Sequence, residues 1–499
     1  MPLQTTRGKR AFTMPPIMQG RVRWLATAER GCLAIFFVWL AWLPLPFGSV
    51  VEAARRPLVA VPLALGAVAC LIRFVATRDR ASTAQPTRAW LVWGYGTLLF
   101  CAVGALQLIP LPASVLNSVS PESYRIWTHA SRVASLAGVP TGTLHPVSVD
   151  PRATTLELFR LVGLFATFLL AALLIRNHTR RMVLISFAGL SALFQMAYGV
   201  HEAALGRYAI WGWPNRLIHG RVTGTFVNPN HFAHYVALAV PLALFVAAMA
   251  WRETRGEEVP LGRRLVRLFE HHIIAFSFGI LTAIACVAAV LLAQSRGALL
   301  ALAAGLALAA ALLPQKKVLR IACAAAGGLL VVVALVVFLG TERTVARFAP
   351  NEFERATLVG RKIGVEAAVG VWNRFPILGS GLGTFERVVS MEQTQDLAKM
   401  YHHAHNDYAE IAATAGTLGI VTALVTLIGG YVFLVRLTRD RELSWKRRAF
   451  QLAALASLTI ALVHALFDFN FFIPANPATL AAILGAAVAS VDHDRRTRR

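Results

Sequence analysis

Runs of about twenty apolar residues alternate with short, Arg-rich polar stretches along most of this chain. About twenty residues at 1.5 Å per residue cross the roughly 30 Å hydrocarbon layer of a bilayer, so the pattern predicts spanning helices. Twelve runs can be drawn: 31–49, 57–76, 89–111, 154–175, 182–204, 229–251, 272–293, 298–314, 319–340, 411–435, 449–467 and 475–491. The predicted fold class is an all-α polytopic membrane protein with about 12 transmembrane helices. Two connections are long, 112–153 and 341–410. Within the second, Ile363, Ala367, Val371 and Phe375 recur about every fourth residue, which predicts an amphipathic helix on the membrane surface.

Composition excludes a soluble globular enzyme. Of 499 residues, 57% are apolar and 15% charged, against about 25% charged in an ordinary soluble domain. The net charge of +24 has a topological cause, because most of the 49 Lys and Arg fall in segments 1–30, 77–88, 176–181, 252–271, 315–320, 436–448 and 492–499. Basic residues collect on the cytoplasmic side, so both termini are expected there and the two long connections outside. No aromatic-interleaved basic face accompanies the charge, so no nucleic-acid partner is expected. All five cysteines lie in apolar runs, with no disulfide framework and no CxxC pair. The first run follows a long basic stretch without a small-x-small cleavage site and reads as a retained helix. The expected organisation is a cytoplasmic N-terminus (1–30), spans one to nine (31–340), a periplasmic loop with the chemistry-bearing motifs (341–410), spans ten to twelve (411–491) and a cytoplasmic basic tail (492–499).

Four polar clusters interrupt the apolar pattern, all expected at the outer interface. In GRVTGTFVNPNHFAHY, Arg221 is a fixed cation, and Asn228, Pro229, Asn230 and His231 sit where a helix begins; capping alone accounts for the Asn and Pro. In QSRGALL, Arg296 lies in a tight connection, either as a snorkelling anchor or as a rigid guanidinium suited to phosphate oxygens. In GRKIGVEAAVGVWNRFPILGSGLGTFERV, Arg361 opens a helix-like stretch and Gly379, Gly381 and Gly383 follow in a loop expected to be flexible. No strand precedes these glycines and no Lys-Ser/Thr follows, which argues against a nucleotide P-loop. In YHHAHNDYAEIAATAGTLG, His402, His403 and His405 stand beside Asn406, Asp407 and Glu410. The HExxH spacing of a zinc site is absent, so no metal is expected, whereas a histidine is a natural general base for an alcohol. A transporter or lipid flippase would want ionisable residues near the midplane, and only Glu157 and Arg160, spaced to pair one turn apart, offer that.

Together these residues resemble the O-antigen ligase and O-antigen polymerase superfamily of bacterial inner membranes. The resemblance rests on LPLPFGS (43–49), SVDPRATTLELFRL (148–161), RVTGTFVNPNHFAHY, the Arg-x-x-x-Leu of Arg296 and Leu300, and the run from Arg361 through GSGLGTF. Most specific is His405-Asn406, nine residues, then Gly416-Thr417-Leu418-Gly419. The resemblance implies a membrane-embedded (GT-C-like), inverting glycosyltransferase with no metal or other cofactor, working on the periplasmic face in lipopolysaccharide or polysaccharide biosynthesis. Its donor would be a glycan on undecaprenyl pyrophosphate. Its acceptor would be a sugar hydroxyl of lipid A-core in a ligase, or another lipid-linked repeat in an O-antigen or exopolysaccharide polymerase. The residues do not choose between these two. Carried over to this chain, Arg296 and Arg361 would hold the pyrophosphate, Arg221 would assist or shape the donor site, and Asn230 would be a supporting residue. His405 would activate the acceptor, Asn406 and Asp407 would set its orientation, and His403 and His402 stand as further candidates for the base. The Asp-x-Asp at Asp492 and Asp494 lies in the cytoplasmic tail, so arginines would stabilise the departing pyrophosphate.

Overall fold

A computed structural model describes residues 16–77, 88–215, 220–256, 259–313, 352–392 and 402–497. Eleven of the twelve predicted runs fall on helices, and the ninth, 319–340, lies outside the described residues. Among the described residues, seven helices are long and apolar enough to cross a membrane. In six of them only 22–39% of the most apolar stretch is buried within the protein. Leu71, Phe74, Leu98, Ile274, Ile284, Val425 and Ile428 all point outward, as lipid-facing helices require.

The seventh differs. Pro229–Glu253 is 89% buried over its most apolar stretch, which makes it the central helix of the bundle. Helices His178–Ala204, Ile273–Leu292, Trp445–His464 and Ala475–Thr497 pack around it. Arg296–Leu312 lies against Trp445–His464, Pro151–Leu174 against Ala475–Thr497, and Arg88–Leu106 against Asp407–Arg439. Short polar side chains start many of these helices: Asp150, Asn177, Asn228, Ser295 and Asn406 each accept a first-turn backbone N–H, satisfying donors that helix geometry leaves open.

Several boundaries differ from the hydropathy pattern. The first helix, Pro16–Trp42, starts well before residue 31, and LPLPFGS forms a turn ending in a short 3-10 helix, Phe47–Ser49. The tenth helix starts at Asp407, four residues early, so the His-Asn pair is its cap. The stripe of Glu352–Arg374 is not spread on a lipid surface as expected. Ala367, Val371 and Phe375 are buried with Phe385, Val388, Val389 and Ala404, and Ile126 and Val149 from the other long connection pack onto them. Arg374 pairs with Glu122 and Glu392, and Arg387 with Asp150. The described parts of the two long connections thus fold on each other into a small module at one end of the bundle, because each offers the other an apolar face.

The glycine loop is also tighter than expected. Helix Asp407–Arg439 breaks at Gly416, whose φ of +67° and ψ of −170° are open essentially to glycine alone. At the break, Thr417 and Leu418 donate to the carbonyls of Pro376 and Ile377, while Ser380 and Gly381 donate to those of Ala413 and Thr414. A Cβ on Gly416 would stand 2.4 Å from the Ile377 oxygen. Gln107, fully buried, stitches the same place through Leu378, Leu382 and Thr414.

Candidate functional site

At the end of the bundle carrying that module, five segments converge: the starts of 229–253, 296–312 and 407–439, the helix 352–374, and the connection 465–474. The hub is Asp468, in the turn after Trp445–His464 and about 1% exposed. The His405 Nδ1 lies 3.2 Å from its Oδ1, Arg361 Nη2 3.3 Å from its Oδ2, and His231 Nε2 3.5 Å from its Oδ1. Burial alone would raise the carboxyl of Asp468, but the Arg361 charge and the two histidines outweigh it and hold Asp468 well below the usual carboxylate range. A buried carboxylate at His405 Nδ1 orients the ring and leaves the Nε2 lone pair as the basic position.

His405 has a left-handed backbone, φ +53°, an uncommon conformation for a non-glycine residue. Its ring stands edge-on to Phe469 (4.9 Å), as does His231 (4.5 Å), while His403 stacks on the same ring at 4.2 Å. One phenyl ring therefore spaces three imidazoles. His403 is held from behind by Glu410, whose Oε1 is 2.8 Å from Nδ1 and whose Oε2 accepts the Ala404 N–H. Burial lowers the proton affinity of His403, but the Glu410 charge more than restores it, so His403 titrates above an ordinary histidine. His402 faces outward against Glu386.

The remaining expected residues divide. Asn406 caps the helix through Ala409 N–H and donates to the Leu466 carbonyl, tying the His-Asn pair to the Asp468 turn. Asp407 is fully buried and turned away from His405, accepting the Phe471 N–H. The carboxylate that contacts His405 is Asp468, not Asp407. Arg361 spends its other terminal nitrogen on the Phe467 carbonyl at 3.2 Å, and its buried Nε has no partner. Arg221 closes the C-terminal end of 273–292, donating to the Ala293 and Gln294 carbonyls and to Asn230 Oδ1. Arg296 is the first residue of its helix, half-buried, after Ser295 as cap. Its neighbour Gly297 comes up against Phe467. The Glu157–Arg160 pair forms as expected from its spacing, and Arg160 also donates to the Phe471 carbonyl and lies over Phe472. That ion pair braces the back of the Asp468 connection.

Asp468 and Phe469 escaped sequence reasoning. The available signal was a lone carboxylate in LFDFNFF, between two apolar runs, where an ionisable residue calls for a partner.

These features define a multi-pass helical membrane protein with a histidine–carboxylate–arginine cluster at one end of its bundle. Residues 281–424 match the family described as O-antigen ligase, which supports the resemblance to the O-antigen ligase and polymerase superfamily. The match spans Arg296, Arg361, the histidine cluster and Gly416, while His231 and Asp468 fall outside it. No curated protein matches the chain.

Proposed function

We propose that this protein is a ligase-type glycosyltransferase of the bacterial inner membrane. It moves a glycan from undecaprenyl pyrophosphate to a sugar hydroxyl of lipid A-core, on the periplasmic face and with inversion. The observation that carries this reading is the sharing of Asp468 by His405 and Arg361. One buried carboxylate orients a base and holds a guanidinium beside it, which is what an alcohol attack with a pyrophosphate leaving group needs. His405 Nε2 takes the acceptor proton as the hydroxyl attacks the anomeric carbon from the face opposite the leaving group. The sugar–phosphate C–O bond breaks, and its electrons leave with the pyrophosphate. Arg361 and Arg296 stabilise the charge that develops there, and Arg221, bonded to the turn before Arg296, keeps that turn in place. Asp468 is too buried to meet the ligand and acts on the side chains around it. The basic-residue bias supports a cytoplasmic placement of both termini.

The test is reconstitution with a short glycan on undecaprenyl pyrophosphate, with EDTA present, with and without lipid A-core. Product that requires lipid A-core is the expected result. Growth of the donor glycan alone would make the protein a polymerase, and no transfer in either arm would overturn the reading.

A further inference from the structure

Beneath the cluster lies a second pair of histidines to which the reaction assigns no part. His464, the last residue of helix 445–464, and His234, in the central helix, are both fully buried, with Nδ1 atoms 3.0 Å apart. A contact of that kind requires one ring to donate and the other to accept, so it fixes both rings. His234 stands three residues after His231, on the same helix face, and His231 approaches Asp468.

His464 touches both halves of the site. Its carbonyl accepts the N–H groups of Phe467 (2.9 Å) and Asp468 (3.2 Å), so it starts the turn that presents the hub carboxylate. Its ring lies against the beginning of helix 296–312: a Cβ on Gly297 would stand 3.0 Å from His464 Cδ2, 3.1 Å from Nε2 and 3.2 Å from Phe467 Cβ. A methyl group there would be tightly packed, and the imidazole or the turn would have to give by a few tenths of an ångström. The residue before Gly297 is Arg296.

We propose that His464, pinned by His234, is a positioning residue that sets how closely the Ser295–Gly297 turn, and with it Arg296, stands to Asp468. It would thereby govern affinity for the pyrophosphate of the donor without touching substrate. This proposal rests on the reading that Arg296 engages that pyrophosphate. An arginine on a rigid helix start grips well only at the right separation, and a displacement of about 1 Å costs up to about 100-fold. A histidine pair that merely held the bundle together would act on stability and on both substrates alike.

The experiment measures binding of undecaprenyl pyrophosphate to the purified full chain in detergent, together with donor KM, acceptor KM and kcat in the transfer assay. Gly297→Ala and His464→Phe are expected to weaken binding and raise donor KM by about tenfold or more, leaving acceptor KM in place. His464→Asn, which keeps a hydrogen-bonding group near the Nδ1 position, is expected to recover most of the loss. His234→Asn probes the pair from the other helix should His464→Phe fail to fold. Wild-type binding in folded Gly297→Ala and His234→Asn proteins would overturn the proposal, as would equal changes in the two KM values. Arg296→Lys separates the two levels. If it binds undecaprenyl pyrophosphate like wild type, the donor-site reading fails and the positioning role falls with it. If it binds weakly while Gly297→Ala binds normally, only the positioning role is lost.

Discussion

At the scale of single residues, Asp468 carries the most weight because it answers to one arginine and two histidines with a single buried carboxylate. Replacing it with Asn keeps the volume but removes the charge that orients His405 and holds Arg361. Asp468→Asn is expected to lower kcat by up to about 10,000-fold, the loss that neutralising the carboxylate behind a catalytic histidine can bring. A kcat within about threefold of wild type would remove Asp468 from the mechanism. His403 offers a pH test. Its folded-state affinity for protons lies above the ordinary histidine value of 6.5 because of Glu410. The stability it contributes is therefore complete below about pH 6.5 and is lost as pH rises through the raised value. The difference in thermal midpoint between wild type and His403→Gln should be largest near pH 6 and should shrink towards pH 9; a difference that grew with pH would contradict the pairing. His403, His405 and Arg361 were readable in the sequence because each sits in a local pattern of residue types. Asp468 was not, because its significance comes from His405, 63 positions away.

The element scale shows why a motif of small residues accompanies the histidine. In Gly416-Thr417-Leu418-Gly419, hydropathy reads one continuous apolar helix, whereas the chain breaks there so that residues 376–381 can bond across the gap. Gly416→Ala would force a side chain into a conformation that costs roughly 1–3 kcal/mol, before the overlap with the Ile377 oxygen is counted. The variant is expected to unfold at a lower temperature and to lose most transfer. A wild-type midpoint would mean that the helix closes without the break. The amphipathic period of 363–375 was visible in the sequence, but its partner was not, since a spacing of four describes a stripe and says nothing of what covers it. Ile126 and Val149 cover it here. The glycines at 379, 381 and 383 looked mobile for a similar reason. Glycine permits flexibility and close approach equally, and only the packing against Thr414, Ser148 and Glu157 distinguishes them.

On the scale of the whole molecule, hydropathy was a good guide to helices because a bilayer imposes one length and one surface chemistry on every span. It could not single out Pro229–Glu253 as the central helix, since lipid and protein interior are equally apolar surroundings. The order of segments along the chain has a further consequence. His231, Arg296, Arg361 and His405 all leave the ribosome before Asp468, which arrives only with the turn between helices 445–464 and 475–497. Until that hairpin enters the bilayer, His405 has no carboxylate behind it and Arg361 no counter-charge. In the order of synthesis, the carboxylate that gathers the cluster is thus the last of these five side chains to join it.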